Sequence, residues 1–332
     1  MYIKKHLNIL ILVFLFCCQS ILAANSQQKP FGERQDVQVF IQYMVKHNKF
    51  DQQKLTELFN TVPYRTTAIQ HVRHPYKENP WFKFKTVFLN QEHIKKGIEY
   101  WRANKKIIKK AAKTYQVPPE VLVAIIGIES NYGRQTGLFN VLYSLTNLAF
   151  NYADPNNFYH EQLKEFLLLC REQHIDPRKV MGSYAGAIGQ LQFMPDIVRR
   201  YAVDFDHNGK IDLSHDNADV IGSIANFLHK RGWQPDTKIA VPAQKTKPGP
   251  LYLPTNRLHG HFSLTTLQQH GLIPVEPIDQ KTELGIIKLR QQDGVDYWIG
   301  LHNMYVLTHY NTDVKYGMVV MFLGAQIKSA LT

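Results

Sequence analysis

Cysteine is scarce in this chain, with three in 332 residues, and two of them, Cys17 and Cys18, fall within the first 24. Loss of that stretch leaves Cys170 alone, which excludes an internal disulfide even in an oxidising compartment. At the end of Glu165-Phe-Leu-Leu-Leu-Cys170 it reads as a buried apolar residue rather than a nucleophile. Zinc-finger spacing, the G-x-x-x-x-G-K-[ST] phosphate loop and the dinucleotide fingerprint are all missing, as are internal repeats and low-complexity tracts. The apolar run Leu7 to Phe16 is too short to span a bilayer with its flanks. Preceded by Lys4 and Lys5, it reads as the core of a secretory signal over residues 1–24, cleaved after Ala23 or Ala24.

What is present is a basic chain large enough for one core with subdomains or for two to three domains. The formal charge is +12, of which Lys4 and Lys5 supply two, leaving +10. Such a charge suits nucleic acid, anionic lipid or an acidic polymer. The basic residues are scattered, however, and the one tight group, Lys105, Lys106, Lys109 and Lys110, has the spacing of a solvated helix face. No nucleic-acid partner is expected. For a secreted chain the negatively charged wall and envelope are the favoured partners.

Periodicity predicts a helix pair over Arg34 to Asn60, an irregular or short-strand segment over Pro63 to Val87, and a succession of amphipathic helices from Asn90 to Trp233. Short strands are predicted at Lys238–Val241, Gly285–Arg290, Asp296–Gly300 and Met304–Tyr310, with turns at Lys247–Pro250 and Gln292–Gly294. Gly317 to Leu331 reads as a closing apolar helix that packs back on the helical core. The expected fold is mainly α with a small antiparallel β subdomain.

Two segments carry chemistry. In Val117-Pro-Pro-Glu-Val-Leu-Val-Ala-Ile-Ile-Gly-Ile-Glu129-Ser-Asn-Tyr-Gly133 a proline fits the first helical position and Gly133 ends the segment. The helix between is apolar nearly all round and so buried. It presents Glu129 from the core at the point where the chain turns away, where partial shielding raises a carboxyl pKa towards that of a general acid. A solvated helix end is the plainer reading of this segment taken alone. The second segment, Gly182-Ser-Tyr-Ala-Gly-Ala-Ile-Gly-Gln-Leu-Gln-Phe-Met-Pro195, combines three glycines with Ser183, Tyr184, Gln190 and Gln192. Glycines there let backbone approach a ligand, and polar groups around an aromatic suit a sugar. A small-faced packing helix is the alternative.

Together, E-S-x-Y-G and G-S-x-A-G-A-x-G-x-x-Q-F-M-P resemble the membrane-bound lytic murein transglycosylase B family of the lysozyme-like superfamily. The likeness runs from about Tyr100 to Trp233 and resumes from Tyr297 to Leu323. It implies a lysozyme-like helical core at 96–235, an N-terminal helical and irregular region at 25–95, a small β-containing region at 236–315 and a C-terminal helix at 316–332. Some family members are lipoproteins. Leu15 and Phe16 make a poor lipobox, which favours a soluble periplasmic product over an outer-membrane lipoprotein anchored at Cys17 or Cys18.

Asp204-Phe-Asp206-His-Asn208-Gly-Lys210-Ile-Asp212 matches the first nine positions of an EF-hand loop, with oxygens at positions 1, 3, 5 and 9, glycine at 6 and a backbone carbonyl at Lys210. His215 stands where the closing Glu belongs. The family closes its loop slightly later, which makes Asp219 the first candidate and Asp216 the second, over a loop of 204–219. A structural Ca²⁺ is expected, and no organic cofactor.

A two-carboxylate glycosidase needs a second acid flanking the bond. The acids between Glu129 and Pro195 are Asp154, Glu161, Glu165, Glu172 and Asp176, and none lies in a motif that places it opposite Glu129. The resemblance implies a single-acid route. Glu129 protonates the glycosidic oxygen between N-acetylmuramic acid and N-acetylglucosamine, the 2-acetamido oxygen attacks internally, and Glu129 then takes the C6 hydroxyl proton as a 1,6-anhydro ring closes. It also implies substrate-positioning roles for Ser183 and Gln192. Tyr184 and Gln190 join them as substrate-binding candidates from the same segment. His309-Tyr310-Asn311-Thr-Asp313-Val-Lys-Tyr316 resembles the family's R-Y-N-x-S-x-x-Y and gives Tyr310, Asn311 and Tyr316 as the other wall of the cleft. His309, Asp313 and Asp154 depart from the family pattern, and Asp154 disfavours an acidic stem peptide or lactyl carboxylate. Peptidoglycan glycan strands are the expected partner, other cell-wall enzymes are further candidates, and a monomer is expected. A lysozyme-type muramidase and a non-catalytic wall-binding protein are the competing readings.

Overall fold

The computed structural model describes residues 29–73, 79–154, 156–257, 259–278 and 283–332. The expected signal sequence, its expected cleavage site, Cys17 and Cys18 lie outside them. The chain forms two compact units, divided between Tyr64 and Arg65.

In the first unit, a 3-10 turn at Phe31–Glu33 leads into α1 (Gln35–Asn48) and α2 (Gln52–Asn60), the expected helix pair. Left-handed Lys49 ends α1, and the Asp51 side chain accepts the Lys54 N–H at 2.8 Å to start α2. Phe31, Val37, Ile41, Met44, Leu55 and Phe59 are buried.

The second unit opens with α3 (Thr67–Arg73) and α4 (Trp81–Phe88), where prolines and aromatics had predicted irregular chain. Pro80 flanks the start of α4, where its missing N–H costs nothing. Trp81, Phe84 and Phe88 then recur at helical spacing, with ring centroids 6.5 and 5.7 Å apart. Next come α5 (Gln91–Ala103), α6 (Lys105–Tyr115), α7 (Pro119–Ser130), α8 (Val141–Asn151), α9 (Phe158–Glu172), α10 (Pro195–Tyr201) and α11 (Asn217–Lys230). All four lysines of the basic group are exposed along α6, though Lys110 also donates to the Phe205 carbonyl at 3.1 Å. Cys170 is buried and unbonded.

A two-stranded ribbon, β1 (Phe139–Asn140) and β2 (Met181–Gly182), pairs the start of α8 with the second motif. The larger sheet, β3 (Ala240–Lys245), β4 (Leu272–Pro274), β5 (Gly285–Arg290) and β6 (Val295–Gly300), is antiparallel in the order β4-β3-β6-β5. It buries Val241, Leu272, Ile286 and Ile299 together with Leu267 of a short helix, α12 (Leu264–Gln269).

The strand expected at Met304–Tyr310 is a helix, α13 (His302–Thr308). Its β-favouring residues are overruled by anchoring: Asn303, fully buried, accepts the Gln234 N–H at 2.9 Å and donates to the carbonyls of Gln234 and Thr237. The closing helix α14 (Val314–Ser329) packs on α7 so closely that a Cβ on Gly324 would lie 2.9 Å from the Glu120 carbonyl oxygen. Lys328 of α14 pairs with Glu120 at 2.6 Å.

Candidate active site

Helix α7 starts on Pro119, buries every residue from Val121 to Gly127, and ends at left-handed Asn131. Glu129 stands in its last turn with partial exposure. Burial among apolar groups raises its carboxyl from an ordinary 4.5 to about 7, and a smaller opposing pull comes from the Tyr316 phenol. Among the described residues no other carboxylate contributes to that shift. The five acids that follow are engaged elsewhere: Glu165 and Glu172 with Arg199, Glu161 with Lys164, Asp176 with Arg178. Asp154 accepts the N–H groups of Asn156 at 3.2 Å and Tyr159 at 2.8 Å, so it shapes the entry to α9.

Opposite Glu129 stand two phenols from the C-terminal segment. Tyr310 and Tyr316 stack with centroids 5.7 Å apart and planes at 11°. Burial and the charge of Glu129 drive both phenols well above their usual range, so both keep their protons. The Tyr316 hydroxyl favours the charged form of Glu129, although it falls short of a fully formed hydrogen bond. Tyr310 donates to the Leu191 carbonyl and meets Phe227 edge-on at 5.4 Å and Phe193 at 5.6 Å. Asn311 is exposed and accepts the Asp313 N–H at 3.0 Å. Asp313 caps α14 by accepting the Lys315 N–H at 2.9 Å, a task serine performs equally well.

The second motif is no helix. It is a looped segment held by isolated bridges between Gly182 and Ile188 and between Ile188 and Phe193. Its glycines face protein rather than open space. A Cβ would lie 2.1 Å from the Ala187 oxygen at Gly182, 2.4 Å from Leu145 at Gly186 and 2.5 Å from the Leu213 oxygen at Gly189. Ser183 accepts the N–H groups of Ala185 at 3.2 Å and Ala187 at 3.0 Å. Tyr184 stacks on His71 at 4.9 Å, an α3 residue that no motif pointed to, and meets Phe139 edge-on at 6.2 Å. Gln190 and Gln192 grip the turn that follows Glu129. The Gln192 amide donates to the Thr136 carbonyl at 3.0 Å, and buried Gln190 lies where a Cβ on Gly133 would stand, 2.7 Å from its Oε1.

Gln190 also donates to the Ser214 carbonyl at 3.2 Å and the Asn217 side chain at 3.1 Å, which links this turn to the acidic loop. There Asp204, Asp206 and Asp219 converge, with one carboxylate oxygen of each within 4.8 Å of the others. Asn208 donates to Asp206 and Asp216 and accepts the Lys210 N–H at 3.0 Å, while Asp216 caps α11. Burial and the charges of Asp216 and Asp204 raise the Asp219 pKa. Three converging carboxylates, one penalised by burial and repulsion, form a donor set that a hard cation fits.

Fold and site together define a polysaccharide-cleaving enzyme with a lysozyme-like helical core. The chain belongs to the transglycosylase SLT domain family, whose model matches residues 32–325, and is a lytic transglycosylase. It is 33% identical over 310 residues to membrane-bound lytic murein transglycosylase B of Escherichia coli (strain K12), covering 90% of this chain and 84% of that protein. The Escherichia coli lytic transglycosylase Slt35 solved in complex with calcium superposes with a TM-score of 0.84 at 33% identity, over 90% of this chain and 95% of that one. SltB3 of Pseudomonas aeruginosa in complex with NAG-NAM-pentapeptide superposes with a TM-score of 0.76 at 25% identity, over 91% and 80% of the two chains. Among the described residues no helix is long and apolar enough to cross a membrane.

Proposed function

We propose that this lytic transglycosylase uses Glu129 as its sole acid and base, cleaving the β-1,4 bond between N-acetylmuramic acid and N-acetylglucosamine in cell-wall turnover. The carrying observation is a carboxyl held near pKa 7 by burial, with no second carboxylate among the described residues acting on it. Protonated Glu129 gives its proton to the glycosidic oxygen as the C1–O4 bond breaks. The acetamido oxygen of the muramyl sugar closes on C1, and the C6 hydroxyl then displaces it while its proton passes to Glu129. Atoms balance without water, and the acid is regenerated for the next cleavage. Tyr310 and Tyr316 form one wall with Asn311 at its rim. Ser183, Tyr184, Gln190 and Gln192 form the other, orienting sugar through their surfaces and the turn they brace.

Asp204, Asp206, Asn208, Asp219 and the Lys210 carbonyl hold Ca²⁺ as an EF-hand-like site. The ion neutralises the loop and takes no part in bond cleavage. The calcium complex of Slt35 supports a Ca²⁺ site. The substrate is the peptidoglycan glycan strand, in line with the SltB3 complex. The protein acts as a monomer in the periplasm, after removal of residues 1–24, alone or beside other cell-wall enzymes.

The test is mass analysis of soluble products from intact sacculi treated with the wild type and Glu129→Gln. Wild-type products one water lighter than hydrolytic muropeptides, lost in the variant, are expected. Reducing-end products would mean a muramidase, and undiminished cleavage by the variant would remove Glu129 from the mechanism.

A further inference from the structure

Glu129 is followed by three residues in the left-handed region: Asn131, Tyr132 and Gly133, with φ of 50°, 60° and 81°. For glycine this is routine and for asparagine common, but an aromatic residue there is an outlier that persists only where its surroundings over-determine it. Two glycines on different helices provide that surrounding. A Cβ on Gly127 of α7 would lie 2.5 Å from Tyr132 Cζ, and one on Gly97 of α5 would lie 2.6 Å from the Tyr132 hydroxyl and 2.4 Å from Ile327 Cδ1 of α14. The ring therefore fills a notch that only these two glycines leave open. His93 and Tyr100 close its sides, with centroids 5.1 and 5.8 Å away. The Tyr132 hydroxyl is buried and has no hydrogen-bond partner among the described residues, so the ring is held there by shape rather than by polar contacts.

The backbone translates this into control of the helix end. The N–H groups of Asn131 and Tyr132 bond back to Gly127 at 2.9 Å and Ile126 at 3.3 Å. Ser130 Oγ accepts the Gly133 N–H at 3.0 Å and donates to the Ile126 carbonyl at 3.1 Å. The last turn of α7, which carries Glu129, is thus closed by a strained tripeptide whose only deeply seated side chain is Tyr132.

We infer that Tyr132 is a positioning residue for the cleavage: wedged between Gly97 and Gly127, it fixes the direction in which Glu129 leaves the helix. The inference rests on the acid/base role proposed for Glu129. Proton transfer is sensitive to such placement, since a shift of about 1 Å can cost ~100-fold in rate. The wedge acts on turnover more than on binding, because its ring is buried between α5 and α7.

The test is a double-mutant cycle on Gly97 and Tyr132, carried throughout in an Ile327→Val background that removes the Cδ1 atom also facing Gly97, and read as kcat and KM for release of 1,6-anhydro products from soluble glycan strands. Gly97 is remote from the chemistry in sequence and meets the wedge at its hydroxyl tip. Gly97→Ala is expected to lower kcat by about tenfold or more with KM held within about twofold. In the Tyr132→Phe background, where neither the hydroxyl nor Ile327 Cδ1 remains in the way, the same substitution is expected to cost less than about threefold. A Gly97→Ala protein with wild-type kcat overturns the inference, and so does an equal penalty in both backgrounds. Should Gly97→Ala not fold, Tyr132→Gly, which suits positive φ, replaces it: lower kcat at unchanged KM supports the inference, and wild-type kcat overturns it. Glu129→Gln measured alongside separates the two claims, because activity in that variant defeats the acid/base reading whatever the cycle shows.

Discussion

The phenol of Tyr316, buried on α14, sets its hydroxyl against the carboxyl of Glu129, which lies at the end of α7. The pair works in opposite senses. The charge of Glu129 keeps the proton on Tyr316, and the hydroxyl moderates a carboxyl that burial alone would raise further. The result is a group near pKa 7, able to give and take a proton at neutral pH.

On the proposed route the pH–rate profile should therefore fall on its alkaline side with a midpoint at about 7, as Glu129 loses the proton that this route has it donate. Tyr316→Phe removes the influence that favours the carboxylate, so the midpoint should move upward. Initial rates of product release between pH 5 and 9 decide this. A midpoint unmoved or lowered in the variant contradicts the pairing.

Stability should carry the same signature. The folded carboxyl titrates at about 7 and the unfolded one at 4.5, so the folded state holds the proton more tightly. Its stabilising contribution is complete below the lower value and lost as pH rises through the upper. At pH 8 Glu129→Gln should be more stable than wild type by on the order of 2 kcal/mol, allowing for the partial exposure of the group. By pH 4.5 the difference should be nearly gone. Urea denaturation at both pH values measures it.

Calcium should raise the melting temperature, by the equivalent of about 2.7 kcal/mol at a hundredfold excess over its dissociation constant. Asp204→Ala should lower the melting temperature in calcium and abolish the response to added ion. Because Gln190 joins Ser214 and Asn217 to the turn after Glu129, the variant should also lose turnover. A melting curve indifferent to calcium in the wild type ends the metal assignment.

The glycines of the second motif should behave as packing residues. Gly182→Ala places a methyl 2.1 Å from a backbone oxygen and should cost about 1–3 kcal/mol through overpacking. Gly294, in the β5–β6 hairpin with φ of 103°, has nothing within 4 Å of its would-be Cβ, and its Ala variant should cost about 1 kcal/mol. Thermal melts of the two variants compare them directly.

Much of this was legible in the sequence because local signals and tertiary burial agree there. The proline start, apolar run and terminal acid of α7 specify a buried helix ending on a carboxyl, and β5 begins and ends where its periodicity says. The misses fall where tertiary contacts decide. Residues 304–310 read as strand by propensity, yet the buried Asn303 ties the start of α13 to Gln234 and Thr237. Glycines 182, 186 and 189 suggested ligand approach, since sequence cannot say which backbone fills the space. The stacking of His71 on Tyr184 joins positions far apart in the chain and left no local trace. Gly127 in mid-helix did leave one: a glycine there weakens a helix by about 1 kcal/mol and calls for a packing reason. Tyr132 is that reason.

On the proposed route one acid cleaves the bond without water. Digestion of sacculi in ¹⁸O-labelled water, with mass analysis of the muramyl ends, tests it most directly. The expected outcome is 1,6-anhydro ends free of ¹⁸O in every early product. Muramyl ends carrying one ¹⁸O would show that water attacks C1, and would contradict it.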